Sequence, residues 1–381
     1  MRLRRLSVLL AVLVVAACAA GPDAATPMGP ADGPEPEPAP TATPGSEQAR
    51  TPDAAPTPTP EPAAAVVATV APLADLVAQV GGQRVAVDLL VPAGADAHTY
   101  EPRPGDVALL AEADAYVGIG LDLNPAAVRL AEEHLPDGAP LVLLGEEHLD
   151  PQRLIHDHVH DDGHSHTHDD GHTHTHTHDD GHTHTHTHDD DVEAGPNPHV
   201  WTSVRLAMEL VDGIAAALAQ LDPGGAETYD ANARAYLLEL RALDEAVRAA
   251  MATIPPDNRT LITYHDAWGY FAADYDLDAV TAVQPSDFSE PSAADVRELI
   301  DLIRAEDVPA VFGSEVFPSD VLDTIAAETG ARYVGNLSDD MLPGRPGDPQ
   351  HSYLGLMRRN ATLIVDGLDG DAAAIAALEG S

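Results

Sequence analysis

Cysteine, basic residues and long apolar runs are all scarce in this chain of 381 residues. Its single cysteine cannot form a disulfide within the chain, so cysteine usage does not reveal the redox compartment. The 19 Lys and Arg residues are outnumbered by 63 Asp and Glu residues, which gives a formal net charge of −44 with neutral histidines. A surface this acidic argues against nucleic acid as a partner. The apolar segment Leu6–Ala17 is too short to span a bilayer as a stable helix.

The N-terminal segment has the pattern of a bacterial export signal. Arginines at positions 2, 4 and 5 precede the apolar segment, which ends in Val15-Ala16-Ala17-Cys18. Small residues just before a cysteine resemble the lipobox of bacterial lipoproteins. That resemblance implies removal of residues 1–17 as a signal peptide, lipidation of Cys18 and anchoring at the outer face of the cytoplasmic membrane or in the periplasm. An ordinary secretory signal with an incidental cysteine is the alternative.

Residues 18–64 predict a tether. They are dominated by Pro, Ala, Thr, Glu and Gly, as in the stretches PEPEPAP and TPTPEP. Such a segment is solvated and partly polyproline-like, and it contributes no core. We therefore expect it to hold a folded domain away from the membrane.

An alternating histidine run occupies residues 156–191 and predicts a secondary metal-binding loop. The unit DDGHTHTHTH occurs twice in succession, at Asp169–His178 and Asp179–His188. Neutral imidazole is a preferred ligand of zinc, copper and nickel, and the segment has no periodic apolar face, so we expect a disordered loop. A neutral low-complexity expansion is the alternative. The candidate ligands are His156, His158, His160, His164, His166, His168, His172, His174, His176, His178, His182, His184, His186 and His188.

From residue 65 onward, short apolar runs alternate with amphipathic stretches. VVATV, VAVDLLV, AYVGIG and PLVLL have strand character before the histidine run, and TLITY, DAVTAV, PAVFG and ARYVG have it afterwards. Strands that alternate with helices predict parallel sheets flanked by helices. The expected fold class is therefore α/β with two lobes of parallel sheet, at residues 65–222 and 254–381.

Residues 223–253 predict one long helix that joins the two lobes. No proline follows Pro223 there, and apolar residues recur with helical spacing at Tyr236, Leu240, Leu243 and Val247. A helix of about 27 residues is about 40 Å long. A rigid connector of this length would restrict hinge motion, and two shorter helices with a bend are the alternative.

Three histidines outside the run stand at the ends of predicted elements. His98 in AGADAHTYEPRPGDV follows a strand, His199 in GPNPHVWTS precedes a helix, and His265 in ITYHDAWGYFA follows a strand. Loops at the carboxyl ends of parallel strands face the crevice where ligands bind. Three imidazoles at such positions predict a metal site. An exported zinc hydrolase uses the same three-histidine pattern, but the chain contains no HExxH helix.

Five segments together give the chain a family resemblance. They are AHTYEPRPGDV, NPHVWTS, YHDAWGYFA, VFGSEVFPSDVLDTIAAETGARYV and LSDDMLPG, spread over residues 66–368. Their combination resembles the zinc-binding and manganese-binding proteins of bacterial ABC importers, a class with two α/β lobes joined by a rigid helix. The resemblance implies a monomeric protein that captures its ion outside the cytoplasm and passes it to an ABC permease with its ATPase.

The resemblance carries the metal ligands of that family onto His98, His199, His265 and Asp339. Asp340 is adjacent and is the alternative to Asp339, as is a water molecule. A recurrent acid of the family falls at Glu315, where we expect support of a ligand and not direct ligation.

Two positions depart from the family pattern, and a third bears on the metal. Asn197 stands where the family often has Asp, and Ala97 stands where it often has Pro, but neither change removes a donor atom. Manganese members tend to carry Glu where this chain has His265. Three imidazoles and a carboxylate suit tetrahedral zinc, whereas manganese prefers more oxygen ligands.

The resulting interpretation is a zinc-binding lipoprotein that carries out no catalysis. A manganese-binding member of the family and a surface zinc buffer or adhesin without a transporter are the alternatives. We expect both metal sites to weaken below about pH 6, because imidazole has a reference pKa of about 6.5 and must be neutral to bind a metal.

Overall fold

The computed structural model describes residues 61–156, 195–284, 291–314 and 320–380, together with the backbone of residues 174–177 and 183–186. The predicted signal peptide, Cys18 and almost all of the predicted tether lie outside the described residues. Within the described part of the chain, no helix combines the length and apolar character needed to cross a membrane.

A parallel sheet of four strands forms the N-terminal lobe. Its strands are β1 (Ala64–Ala68), β2 (Val85–Leu89), β3 (Ala115–Gly118) and β4 (Leu141–Leu143). They lie in the order β2-β1-β3-β4, and every neighbouring pair is parallel. The central strands β1 and β3 are almost entirely buried, as expected for strands covered on both faces.

Four helices follow these strands. They are α1 (Ala71–Gly81), α2 (Pro104–Ala111), α3 (Pro125–His134) and α4 (Leu144–Glu147). Proline stands in the first turn of α1, α2 and α3, where its missing N–H costs no hydrogen bond. The Asn124 side chain accepts a hydrogen bond from the Ala127 amide and caps α3, and it also donates to the carbonyl oxygens of Ala97 and Tyr100. The residue that begins α3 thus also holds the loop that carries His98.

Two short strands lie inside the histidine run, β5 (His174–Thr177) and β6 (Thr183–His186). They pair antiparallel, with His174 opposite His186. The composition predicts a disordered loop, so the structure differs from that prediction at these residues. The difference has a physical reason, since β-branched threonine at every second position favours an extended backbone.

The linking helix is α6 (Ala226–Met251), which follows α5 (Val204–Leu221). It is a single helix of 26 residues, about 39 Å long, so the alternative of two shorter helices does not apply. The side chains of Tyr236, Leu240, Leu243 and Val247, which carry the helical spacing, are all buried. Helix α6 packs along both α5 and α1.

A second parallel sheet of four strands forms the C-terminal lobe. The chain passes in βα alternation through β7 (Thr260–His265), α7 (Gly269–Tyr275), β8 (Asp278–Gln284), α8 (Ala293–Glu306), β9 (Ala310–Ser314), α9 (Asp320–Thr329) and β10 (Arg332–Leu337). The strand order is β10-β9-β7-β8, and neighbouring strands are parallel. The predicted α/β fold with two lobes is thereby confirmed.

The two lobes share one apolar core through a layer of helices. After the second sheet come α10 (Tyr353–Gly367) and α11 (Ala373–Ala376). Helix α10 packs against β10 of its own lobe and also against α6 and α1. One cluster of buried side chains contains Leu73 of α1, Leu240 of α6 and Ile364 of α10. Asp75 of α1 adds a polar contact, because its Oδ2 accepts a hydrogen bond from the Tyr353 amide at 2.8 Å.

Helix α6 buries one stripe of apolar side chains, which includes Leu240. Substitutions inside and outside this stripe should therefore differ sharply in their effect on the free energy of unfolding. Leu240 is fully buried, whereas Leu238 on the same helix is 64% exposed. Leu240→Ala should lower the free energy of unfolding by about 2–5 kcal/mol, because it leaves a cavity in the shared core. Leu238→Ala should change it by less than about 0.5 kcal/mol. Urea denaturation of both variants measures the difference, and equal losses would contradict the placement of the stripe.

Candidate metal centre

The four predicted ligand residues lie at element ends that meet between the lobes. His98 is in the loop after β2, and His199 immediately precedes a 3-10 turn, Val200–Thr202, that leads into α5. In the C-terminal lobe, His265 is the last residue of β7, and Asp339 follows β10. Because the strands of each sheet are parallel, their carboxyl ends share one edge, which is where ligands bind in this class of fold.

The structure brings the three imidazole rings into mutual contact. Nε2 of His98 lies 2.9 Å from Nε2 of His199, and Nε2 of His265 lies 3.0 Å from the same atom. The ring centroids are 4.8 to 5.5 Å apart. One ligand atom from each ring falls within 4.8 Å of the others, so a single cation can contact all three.

Of the two adjacent aspartates, Asp339 faces the histidines. Its Oδ2 lies 3.8 Å from Nε2 of His199 and 3.7 Å from Nε2 of His265. Asp340 is turned toward the other lobe, where its Oδ2 accepts a hydrogen bond from the Ala97 amide at 3.2 Å. The arrangement therefore puts one carboxylate beside the rings and uses the next to hold the residue that precedes His98.

Other hydrogen bonds also join the lobes beside this cluster. Indole Nε1 of Trp201 donates to the carbonyl oxygen of Asp339 at 2.9 Å. The Thr202 hydroxyl donates to the carbonyl oxygen of Ala267 at 2.9 Å. These contacts come from the turn that follows His199, so they fix that turn against the loops that follow β7 and β10. No local pattern in the sequence marks Trp201 or Asp340 for this role, because the partner lies far away along the chain.

The cluster is closed to solvent on most sides. His199, His265 and Asp339 are 2%, 5% and 2% exposed, whereas His98 is only half-buried. His98 is therefore the member of the cluster that is most accessible to solvent.

Burial lowers the pKa of all three imidazoles. Loss of water lowers the pKa of His98 to about 4, although the nearby Asp96 carboxylate opposes the shift. Burial and the neighbouring His98 lower the pKa of His265 to about 3. The pKa of His199 is well below its usual value, because the ring is buried between the other two. All three rings are thus neutral near pH 7, the form that binds metals.

Asn197 determines which nitrogen of His199 faces the cluster. Its Oδ1 lies 2.8 Å from Nδ1 of His199 and also accepts a hydrogen bond from the His199 amide at 3.0 Å. An amide oxygen can only accept, so Nδ1 carries the proton and Nε2 presents its lone pair to the other rings. In the sequence, Asn197 is marked only by its departure from the family pattern.

Some predicted residues fall elsewhere. Glu315 lies outside the described residues. In the histidine run the structure describes the side chain of His156, which is exposed, and the other side chains of the run lie outside the described residues. Their roles stay predictions.

A family model described as "Zinc-uptake complex component A periplasmic" matches residues 66–367. The chain belongs to this family. The match includes all four residues of the cluster and confirms the resemblance indicated by the sequence motifs. Members of the zinc-uptake family are components of ABC transport systems, and a relative from Streptococcus cristatus is a metal ABC transporter substrate-binding lipoprotein.

Individual relatives in the zinc-uptake family are named for different metals. The chain is 28% identical to the manganese-binding lipoprotein MntA of Halalkalibacterium halodurans, over 80% of this chain and 88% of that protein. It is 31% identical to the high-affinity zinc uptake system protein ZnuA of Paracoccus denitrificans, over 80% of this chain and 92% of that protein. The solved structure of the periplasmic zinc-binding protein TroA from Treponema pallidum matches with a TM-score of 0.66 at 26% identity, and covers 80% of this chain and 99% of TroA. Membership thus shows a metal-binding component of an uptake system and does not decide the metal.

The buried neutral histidines predict acid sensitivity of the metal-free protein. In the unfolded chain imidazole protonates near pH 6.5, whereas the folded pKa values are about 4 for His98 and about 3 for His265. Between these values the unfolded state binds more protons, so the free energy of unfolding falls as the pH drops from about 6.5 toward about 4. The expected slope is about 1.4 kcal/mol per pH unit for each histidine that stays neutral.

Urea denaturation of the metal-free protein at a series of pH values measures this slope. The His98→Asn/His265→Asn variant should lose most of it. If the variant keeps the slope of the wild type, the acid sensitivity has another origin.

Proposed function

We propose that this protein captures zinc outside the cytoplasm and delivers it to an ABC-type membrane importer. The observation that carries the proposal is the convergence of three neutral imidazoles, two of them buried, and one carboxylate where the two lobes meet. Membership of the zinc-uptake family supports it. Zinc is the cargo here, so the protein has to hold and release the ion and carries out no bond chemistry.

The proposed ligand atoms are Nε2 of His98, His199 and His265 and Oδ2 of Asp339. Nitrogen ligands of a tetrahedral zinc ion lie about 3.3 Å apart. The Nε2 separations of 2.9 and 3.0 Å are slightly shorter than this, and the oxygen at 3.7 to 3.8 Å is slightly farther away. Small shifts of the loops are therefore enough to form a tetrahedral site. Glu315 stays a proposed supporting residue.

Donor chemistry favours zinc over manganese. Three nitrogen donors and one carboxylate match tetrahedral zinc, whereas manganese prefers more oxygen ligands and higher coordination. A manganese-binding protein is nevertheless the second candidate, because relatives of that name belong to the same family. Copper and nickel bind such donors at least as tightly in vitro, so selection among metals in the cell depends on their availability as well.

The same geometry argues against an exported zinc hydrolase. Catalytic zinc keeps a coordination position open for water and needs a general base within hydrogen-bond reach. Here the carboxylate of Asp339 lies beside the rings, and we propose that it fills the fourth position. We therefore propose a binding protein and not an enzyme.

Ion exchange is proposed to take place by rearrangement of the loop that carries His98. This ligand is half-buried, while the other three are enclosed. The shared core of α1, α6 and α10 opposes a wide opening of the lobes. The loop is held across the cleft by the hydrogen bond from Ala97 to Asp340, so small loop motions suffice for release.

The histidine run at residues 156–191 is proposed to supply ions to this site. His156 forms a β-bridge with Pro196, three residues before His199, and the Asn197 amide donates to the carbonyl oxygen of Ile155 at 2.7 Å. Both ends of the run thus leave the fold beside the cluster. Ions held by the run would be at high effective concentration next to the tighter site.

Export and anchoring complete the proposal. The relatives from Halalkalibacterium halodurans and Streptococcus cristatus are named lipoproteins, which supports lipidation of Cys18 and a role for residues 18–64 as the tether. The proposed partners are an ABC permease and its ATPase, with the binding protein acting as a monomer. A surface zinc buffer or adhesin without a transporter is the competing function. Zinc-dependent growth and uptake in cells that lack this protein separate the two, because only a transport component is needed for uptake.

The interlobe site should bind one zinc ion tightly. Isothermal titration of the metal-free protein with zinc is compared with that of the His98→Ala/His199→Ala/His265→Ala variant. The expected result is loss of one tight equivalent in the variant with weaker binding by the histidine run retained. Unchanged tight binding would put the principal site elsewhere and contradict the proposal. His134→Ala, outside the cluster, is the matched control and should bind as the wild type does.

The histidine run should be dispensable for tight binding. Replacement of residues 157–194 by a short Gly-Ser linker keeps the bridge between His156 and Pro196. This variant should retain the tight equivalent and lose the weaker ones. A full-length control, in which the histidines of the run are changed to Gln, separates loss of ligands from loss of chain length. Disappearance of the tight equivalent in either protein would refute the assignment of two separate sites.

A further inference from the structure

One side chain both orients a proposed zinc ligand and joins the two lobes. We propose that Asn197 is a positioning residue, whose carboxamide ties the His199 turn of the N-terminal lobe to the His265 loop of the C-terminal lobe and thereby sets how long a divalent cation is retained. This inference rests on the proposed metal-binding function. It assigns a role in metal retention to a residue that does not itself bind the metal.

Both ends of the carboxamide are engaged. Oδ1 accepts from Nδ1 and from the backbone amide of His199, at 2.8 and 3.0 Å. Nδ2 donates to the carbonyl oxygen of Asp266, the residue that follows His265, at 2.8 Å. The reverse orientation would set the amide NH2 against two N–H donors and its oxygen against a carbonyl oxygen. The contacts therefore determine which atom is oxygen and which is nitrogen.

The backbone of Asn197 is held on two further sides. Its amide donates to the carbonyl oxygen of Ile155 at 2.7 Å. Its carbonyl oxygen accepts a hydrogen bond from the hydroxyl of Tyr270, on α7 of the C-terminal lobe, at 2.8 Å. The residue is 2% exposed, so water does not compete for these contacts. The polar atoms of a buried side chain need such hydrogen bonds, because loss of a partner costs free energy.

In this chain only an amide satisfies both side-chain contacts of residue 197. A carboxylate at residue 197 accepts the hydrogen bond from His199 equally well, but its second oxygen then faces the carbonyl oxygen of Asp266 with no hydrogen between them. Two acceptors held at the present 2.8 Å in a buried place repel each other. Asn197→Asp thus keeps the orientation of the His199 ring and breaks the link between the lobes.

The direction of the effect separates this role from simple ring orientation. If the residue only orients His199, a carboxylate makes the imidazole a stronger donor and slows zinc loss. If the residue also ties the lobes, the two ligand loops separate more easily and zinc leaves faster. We expect dissociation about tenfold faster in Asn197→Asp, in the range that substitutions behind metal ligands produce. Association, which depends on access past His98, should change little.

Asn232→Asp provides the matched control. Nδ2 of Asn232 on α6 donates to the carbonyl oxygen of Val80 on α1 at 2.9 Å. The substitution removes the same kind of hydrogen bond and adds the same charge, but at a place outside the cluster. Any effect of net charge or of general stability should appear in this variant too.

The experiment measures zinc dissociation from the full chain by stopped-flow competition with a chelator. Long-range 1H–15N spectra of the imidazoles report whether His199 keeps its proton on Nδ1. The expected result is faster loss of zinc in Asn197→Asp, an unchanged rate in Asn232→Asp and a conserved His199 tautomer. Asn197→Ser adds no charge, and its side chain is too short to make both contacts, so this variant should also lose zinc faster. It replaces Asn197→Asp in the experiment if the aspartate variant does not fold.

Zinc retention by Asn197→Asp equal to or longer than that of the wild type overturns the inference. Equal acceleration in Asn232→Asp overturns it as well, since the cause is then general. Failure of the proposed function is visible separately, as the absence of tight zinc binding in both the wild type and Asn232→Asp.

Discussion

The centroids of three imidazole rings lie within 5.5 Å of one another where the two lobes meet, away from most of the solvent. Burial disfavours the charged form and lowers the pKa of His98, His199 and His265, and neighbouring rings lower the pKa of His199 and His265 further. Neutral rings do not hold one another by charge. Their arrangement therefore depends on hydrogen bonds from neighbouring residues, such as those made by Asn197 and Asp340.

Hydrogen bonds from Asn197 to Asp266 and from Ala97 to Asp340 cross between the lobes, which links the cluster to the rest of the fold. The carboxylate that faces the rings is on Asp339, and its backbone oxygen is bound by Trp201 of the opposite lobe. The helices α1, α6 and α10 share one core. Since this core opposes a wide opening of the lobes, the proposed exchange of an ion uses loop motion, and His98 is the most exposed of the proposed ligands. A stiff frame with adjustable loops suits a protein that holds an ion and then releases it.

The parts of the fold that the sequence predicted are those encoded by local periodicity. The βα alternation and the stripe of Tyr236, Leu240, Leu243 and Val247 require only the spacing of apolar residues, so both appear in the structure as expected. The strands β5 and β6 were missed, because alternating His and Thr lacks an apolar face and only the β-branched threonines favour extension. The packing of α10 on α1 was also missed, since the apolar pattern of a helix does not indicate which element it packs against.

Some features of the candidate site were likewise predictable from the sequence, and others depend on the tertiary structure. The sequence by itself determined that His98, His199 and His265 stand at element ends, because strand and helix boundaries follow from local composition, and that the chain carries an acidic pair at Asp339 and Asp340. Only the tertiary structure decided that the rings meet, that Asp339 faces them while Asp340 holds Ala97, and that Asn197 bridges to Asp266. The physical reason is that hydrogen bonds between residues far apart along the chain depend on how the lobes pack, and one residue of register separates the aspartate that faces the rings from the one that supports the loop.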